Sequence, residues 1–192
     1  MKSEIINILP ETLKDCVCTL RKTSKDDNRM EYMCNSVVKV INFDKVPKLY
    51  TKGKGWRGIP CSNDALYIEN KDLWHFIEFK NGTVNKGDVY RKIYDSLIML
   101  IEMNVIPNLD FARKSITYTL VYNSNKYQMA EESVSRDKIY AHNRRMAKEE
   151  RKMFGIEKFE QFLFKNTHTY TRDEFNNNFV KRIEKLESED GM

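Results

Sequence analysis

The chain lacks the marks of several protein classes. No apolar run approaches the length of a membrane span, so no membrane partner is expected. The start, Met1 to Glu11, holds only a short apolar patch, interrupted by Asn7 and ended by Pro10. It does not read as a secretory signal. Without an export signal the four cysteines need not pair. Cys16 and Cys18 are too close for an ordinary bridge, and Cys34 and Cys61 stand alone. Reduced thiols in a cytoplasmic protein are expected. Gly53-Lys54-Gly55 lacks the four-residue spacer and the Lys-Ser/Thr ending of a phosphate-binding loop. His75, His142 and His168 lie far apart and have no Cys/His partner at zinc spacing, so each reads as structural or surface. Internal repeats and low-complexity segments are absent as well.

What remains is a chain of 192 residues with 41% hydrophobic and 32% charged content. That describes one globular domain with a sizeable core. The formal charge of +5 is only mildly basic, but it is unevenly spread. Lys45, Lys48, Lys52, Lys54 and Arg57 fall together, interleaved with Tyr50 and Trp56. Arg136, Lys138, Arg144, Arg145, Lys148, Arg151 and Lys152 share one predicted helix. Both clusters suit a polyanion, with Lys52, Lys54, Arg57, Arg144 and Arg145 as candidate nucleic-acid contacts and Trp56 or Tyr50 able to stack on a base. Each cluster also fits an ordinary solvated surface, with Arg145 and Glu149 forming an i,i+4 pair.

The periodicity assigns elements in turn. Residues 3–21 have helical spacing, broken at Pro10. Thr23 to Arg29 reads as a loop. Residues 30–50 are ambiguous between a strand at Val37 to Ile41 and a short helix opening near Pro47. The glycines between Thr51 and Pro60 mark a loop. Two apolar runs flanking Glu69-Asn70-Lys71-Asp72 predict a β-hairpin, stopped by Asn81-Gly82. Residues 88–104 predict an amphipathic helix with Asp88 as N-cap. Ser115 to Tyr122 reads as a strand, 131–154 as a charged helix closed by Gly155, and Phe162 to Thr169 as a strand. Thr171-Arg172-Asp173-Glu174 is a capping box opening a last helix. The order implies an α/β fold, with a mixed central sheet flanked by helices. The whole chain, 1–192, is expected to be a single domain. Its core spans about 30–170, with a helical segment at 1–22 and a terminal helix at 171–187.

The hairpin carries the chemistry. Strand side chains alternate faces, so Glu78 and Lys80 project together. Antiparallel pairing returns Asp64 beside the end of the second strand. Two carboxylates and an ammonium thus converge at one hairpin end. Asp64 and Glu78 suit a hard cation, Mg²⁺ or Mn²⁺, with the Phe79 carbonyl as a candidate third oxygen. Such an ion would polarise a phosphate and lower the pKa of water, and Lys80 would orient that water or offset charge on phosphorus. The competing reading is a strand end emerging into water.

Asp64, the hairpin, Glu78-Phe79-Lys80 and the following helix resemble the core of the PD-(D/E)xK nuclease superfamily, over roughly residues 60–123. The resemblance implies a restriction-endonuclease-like sandwich and metal-dependent cleavage of DNA or RNA. It assigns metal binding to Asp64 and Glu78 and places Lys80 near the attacking water. The next helix often adds a basic or amide residue, for which Lys92 is the candidate. Asn63 stands where the superfamily often has proline. The extra acidic residue on an N-terminal helix has no clear counterpart, with Glu4, Glu11 and Glu31 as options. Two rivals remain: a nuclease-like fold without turnover, and an immunity or interaction protein of a bacterial defence or toxin system with a protein partner. Fold alone does not choose among them.

Overall fold

The computed structural model describes residues 11–126 and 152–189, with the side chains of Glu11, Thr12 and Lys126 not described. Among the described residues, eight strands and seven α-helical segments follow one another. The strands are β1 (Val17–Thr19), β2 (Lys25–Asp26), β3 (Glu31–Tyr32), β4 (Lys39–Asn42), β5 (Ala65–Asn70), β6 (Leu73–Lys80), β7 (Ile116–Tyr122) and β8 (Asn166–Thr171). The helices are α1 (Glu11–Lys14), α2 (Leu20–Thr23), α3 (Val46–Thr51), α4 (Lys86–Glu102), α5 (Leu109–Ser115), α6 (Arg172–Phe175) and α7 (Lys181–Glu189). A π-helical turn, Asn176–Val180, joins the last two.

Six strands form one mixed sheet in the order β1-β4-β5-β6-β7-β8, and β2 and β3 pair separately. The β1, β4, β5 and β6 neighbours are antiparallel, whereas β6-β7 and β7-β8 are parallel. Parallel neighbours need crossovers, and α4 with α5 supplies the one from β6 to β7.

The sheet is covered on both faces, as a mixed α/β sheet must be to bury its apolar sides. On one face Leu66, Ile68, Trp74, Phe76 and Tyr118 pack against Val89, Ile93 and Leu97 of α4. On the other, Tyr67, Ile77, Phe79 and Val121 pack against Phe175, Phe179 and Ile183. Strand alternation thus sorts one hairpin into two cores. A polar clamp fixes the second layer: Arg182 donates from Nη1 and Nη2 to the two Glu69 oxygens, at 2.8 Å each. Glu69 also meets the His75 ring at 3.0 Å. Burial would raise the Glu69 carboxyl, but His75 and Arg182 outweigh it and hold it near 2.

Several boundaries differ from expectation. The helical spacing of residues 3–21 does not survive past Lys14, because Val17–Thr19 pairs with β4 as an edge strand. Residues 30–50 contain both alternatives, a strand and then a helix. The polar stretch Thr23 to Arg29 includes β2. The long helix is capped by Asn85, whose side chain accepts from Gly87 and Asp88 amides, so Asp88 is a first-turn residue and not the cap. Lys152 to Phe154 are not helical, and Gly155 instead precedes a 3-10 turn, Ile156–Phe159. The rest of the helix expected over 131–154 lies outside the described residues. The capping box at Thr171 and Glu174 is present. All four cysteines are free thiols. Among the described residues no helix is long and apolar enough to cross a membrane.

Ile93 is fully buried between α4 and the sheet, whereas Ile98 on the same helix is half exposed. Ile93→Ala should cost about 2–5 kcal/mol of unfolding free energy by lost burial and the cavity left behind. Ile98→Ala should stay within about 0.5 kcal/mol, as surface substitutions do. Urea denaturation of both variants measures the contrast; equal costs would mean that α4 is packed the other way round.

Candidate functional site

β6 runs through the middle of the sheet, and its C-terminal end lies where the parallel strands open. In α/β sheets this is the edge at which ligands are bound. Glu78 projects from β6 toward α4 and is completely buried. Asp64 immediately precedes β5, opposite that strand end. Its Oδ2 accepts the Phe79 amide at 2.6 Å, which ties the two strands together through a side chain.

Lys92 joins the carboxylates. Its Nζ lies 2.6 Å from Glu78 Oε1 and 3.1 Å from Asp64 Oδ1. Lys80 Nζ lies 2.8 Å from the same Glu78 oxygen. Glu78 Oε2 has no hydrogen-bond partner among the described residues, and neither has the buried hydroxyl of Tyr118. The Asn63 side chain is likewise buried without a partner, although its backbone amide donates to Ser96 Oγ at 3.0 Å. Together these leave unsatisfied polar atoms beside and beneath an ion-pair network. A buried acceptor left unpaired is costly, and a cation, a water or a proton would satisfy it.

A third carboxylate stands nearby. Asp44, in the 3-10 turn Phe43–Lys45 after β4, accepts from Ser62 Oγ at 3.1 Å. Asp44 remains exposed to solvent, but the protein packed around it partly desolvates the carboxyl and pushes it up to about 6; the charge of Asp64 adds to this, and Lys92 opposes. A cleft of about 320 Å³ is lined by Asp44, Asp64 and Lys80, with Asp26 and Asp27 across it. Asn81 builds the opposite wall: its Nδ2 donates to Asp26 at 2.9 Å and Glu31 at 3.1 Å, and Arg29 reaches its carbonyl at 2.9 Å. The β2-β3 hairpin is thereby fastened to the residue following Lys80.

Asp64, Glu78, Lys80 and Lys92 are thus brought together. Phe79 reaches the site through its amide, and its ring packs on the opposite face against Phe175. Lys52, Lys54 and Arg57 are exposed on the loop before β5, and Lys54 is paired with Glu102 at 3.4 Å. Arg144 and Arg145 lie outside the described residues, as does Glu4. Glu31 binds Asn81 and does not join the carboxylates. The sequence reading missed Asp44. Its only local signal is an Asn-capped turn after a valine-rich strand, and its place beside Asp64 depends on β4 pairing with β5 across a long loop.

The donor set suits a hard divalent cation in kind: carboxylate oxygens, one of them buried and unpaired. As arranged, the Lys92 ammonium bridges the carboxylates, and no group of three potential ligand side chains among the described residues is set to hold a metal. Comparison with known proteins gave no matching family, no similar curated protein and no similar solved structure.

Burial, with the charge of Asp64 adding to it, pushes the Glu78 carboxyl up to about 7 against the pull of Lys92 and Lys80. The same two carboxylates lift the Lys92 ammonium above its ordinary value despite its burial. A carboxyl raised on folding stabilises the fold fully below its unfolded pKa and loses that contribution as pH rises through the folded one. Stability should therefore fall between about 4.5 and about 7 on account of Glu78. A shift of this size is worth up to about 3 kcal/mol. Because Asp44 also titrates in this window, and His75 is lowered by burial and adds a pH dependence of its own, the readout is the difference between the parent and Glu78→Gln. In chelator, the variant should gain on the parent as pH rises from 5 to 8. A constant difference would mean that Glu78 is ionised throughout.

Proposed function

We propose that the protein is a metal-dependent nuclease, hydrolysing phosphodiester bonds of DNA or RNA from a restriction-endonuclease-like sandwich. The observation that carries this reading is Glu78: a buried carboxylate with one unpaired oxygen, beside Asp64 and Lys80, at the strand ends that border a polar cleft.

Asp64 and Glu78 would hold Mg²⁺ or Mn²⁺, which when bound supplies positive charge to the phosphate and acidifies a water. Lys80 reaches from Glu78 to the cleft and would orient the attacking water and offset charge building on phosphorus. Asp44 lines the same cleft, and a carboxyl raised toward neutrality suits acceptance of the water's proton. Lys92, released from the carboxylates, would turn to a phosphate oxygen. Glu78 in the wall of a rigid central strand keeps these groups in place without reorganisation.

One observation favours a second reading. Lys92 already spans both carboxylates, which fits a nuclease-like fold kept as an internal ion-pair network. That protein would bind nucleic acid or a protein partner of a defence or toxin system without turnover.

Metal-dependent stability separates the two. With Mg²⁺ or Mn²⁺ at 100 times the dissociation constant, the fold should gain about 2.7 kcal/mol by mass action. Glu78→Gln should abolish the gain while the fold survives. If neither ion shifts the parent's melting temperature, the second reading stands. Lys80→Ala should keep the metal-induced shift and lose cleavage by roughly 10²–10³-fold, since its part in the reaction itself is played in the transition state. Single-turnover cleavage of a labelled oligonucleotide measures it, and an unchanged rate would remove Lys80 from the mechanism.

A further inference from the structure

The loop between α3 and β5 is built around an indole that the fold leaves in water. Trp56 is 53% exposed, whereas Trp74 is 3% exposed. From Lys45 to Asn63 the chain has five basic residues and no acidic one. Lys52 and Arg57 are exposed on either side of Trp56.

The loop is nevertheless held in shape. Tyr50 donates its hydroxyl to Glu102 at 2.5 Å and meets the Trp56 ring edge-on, with centroids 5.4 Å apart. The Lys54 ammonium lies 3.6 Å from the Tyr50 centroid and 4.5 Å from that of Trp56, and it pairs with Glu102. Gly53 and Gly55 take left-handed backbone with φ of 80° and 67°, which side chains rarely adopt. At its far end the Cys61 amide donates to Asp95 at 2.8 Å. The loop therefore runs along α4 from Glu102 back to Asp95, about 10 Å by helix rise. Asp95 is three residues from Lys92, and the chain then enters the site through Asn63 and Asp64.

We propose that this loop is a stacking platform for single-stranded nucleic acid, with Trp56 stacking on a base and Lys52 and Arg57 contacting phosphates. The inference rests on the nucleic-acid reading of the site and narrows its substrate to single strands. A ring offered to solvent gains from a base only when that base's face is free, which excludes the interior of a duplex. Charge of one sign along the whole loop favours a polyanion over a protein partner, although Ile59 and Ile98 are also exposed nearby. The platform and the site are two ends of one tethered segment, so a strand stacked on Trp56 would place a phosphate a few nucleotides away at Asp64.

The two tryptophans make the test direct, since quenching by an oligonucleotide reports on the exposed one. Oligo(dT) and oligo(U), and a duplex of equal length, are titrated into the full chain in EDTA at several salt concentrations. Single strands should quench the fluorescence and bind more tightly than the duplex. Trp56→Ala should weaken single-strand binding about tenfold or more, read by anisotropy of a labelled strand, and Trp56→Phe should keep most of it. Lys52→Ala with Arg57→Ala should flatten the salt dependence. Absent quenching, equal or stronger binding of the duplex, or unchanged affinity of Trp56→Ala would each overturn the platform. The absence of binding to any strand form, as expected if a protein occupies this face, would overturn it too. EDTA keeps the two proposals separable. Quenching without metal-dependent stability would remove the hydrolase reading and leave the platform, and the reverse result would do the opposite.

Discussion

A carboxylate placed in the centre of a sheet constrains everything around it. Glu78 has no access to water, and an isolated buried charge of that kind is far too costly to keep. Two ammonium groups meet it, Lys80 from its own strand and Lys92 from the helix that crosses over it. Lys92 fixes the rotation of α4 about its axis, because Val89, Ile93 and Leu97 must face the sheet while Lys92 reaches the strand end. The polar network and the apolar core therefore demand the same helix orientation. Agreement between levels of this kind is what selects one fold among competing packings.

The network is also asymmetric. Glu78 Oε1 is held twice, and Oε2 by none of the described residues. Three carboxylates and two ammoniums share the region, and Glu78 and Asp44 are pushed toward their neutral forms. Stability alone would be served as well by apolar residues of similar size. Titratable groups with displaced pKa values beside a cleft are a common mark of a working site, and this gives the chemical reading its weight.

Much of this was legible in the sequence because it follows from local periodicity. Alternation along Leu73 to Lys80 placed Glu78 and Lys80 together, whereas the helical repeat put Lys92 only on the polar side of its helix and the nuclease resemblance made it a candidate. The Thr171 to Glu174 capping box marked its helix correctly. The misses share a cause. Val17–Thr19 is a strand only because Lys39–Asn42 offers it an edge, and Asp44 meets Asp64 only because β4 lies beside β5. Neither pairing leaves a trace in the spacing of nearby residues. Asp88 looked like the helix cap by type, but Asn85 holds the position because its side chain reaches two amides of the first turn.

The π-helical turn at Asn176–Val180 bears on how the C-terminal helix can change over time. A π turn holds one residue more than the α-helix it interrupts. Phe175 and Phe179 lie before or within it, and Arg182 and Ile183 lie beyond. Losing the extra residue there would restore a regular helix and leave the parts on either side in their present register. Phe175 would keep its place in the core, and Arg182 and Ile183 would keep theirs against Glu69 and the second layer. The turn is therefore where this helix can lose one residue without moving the Arg182 clamp on the sheet.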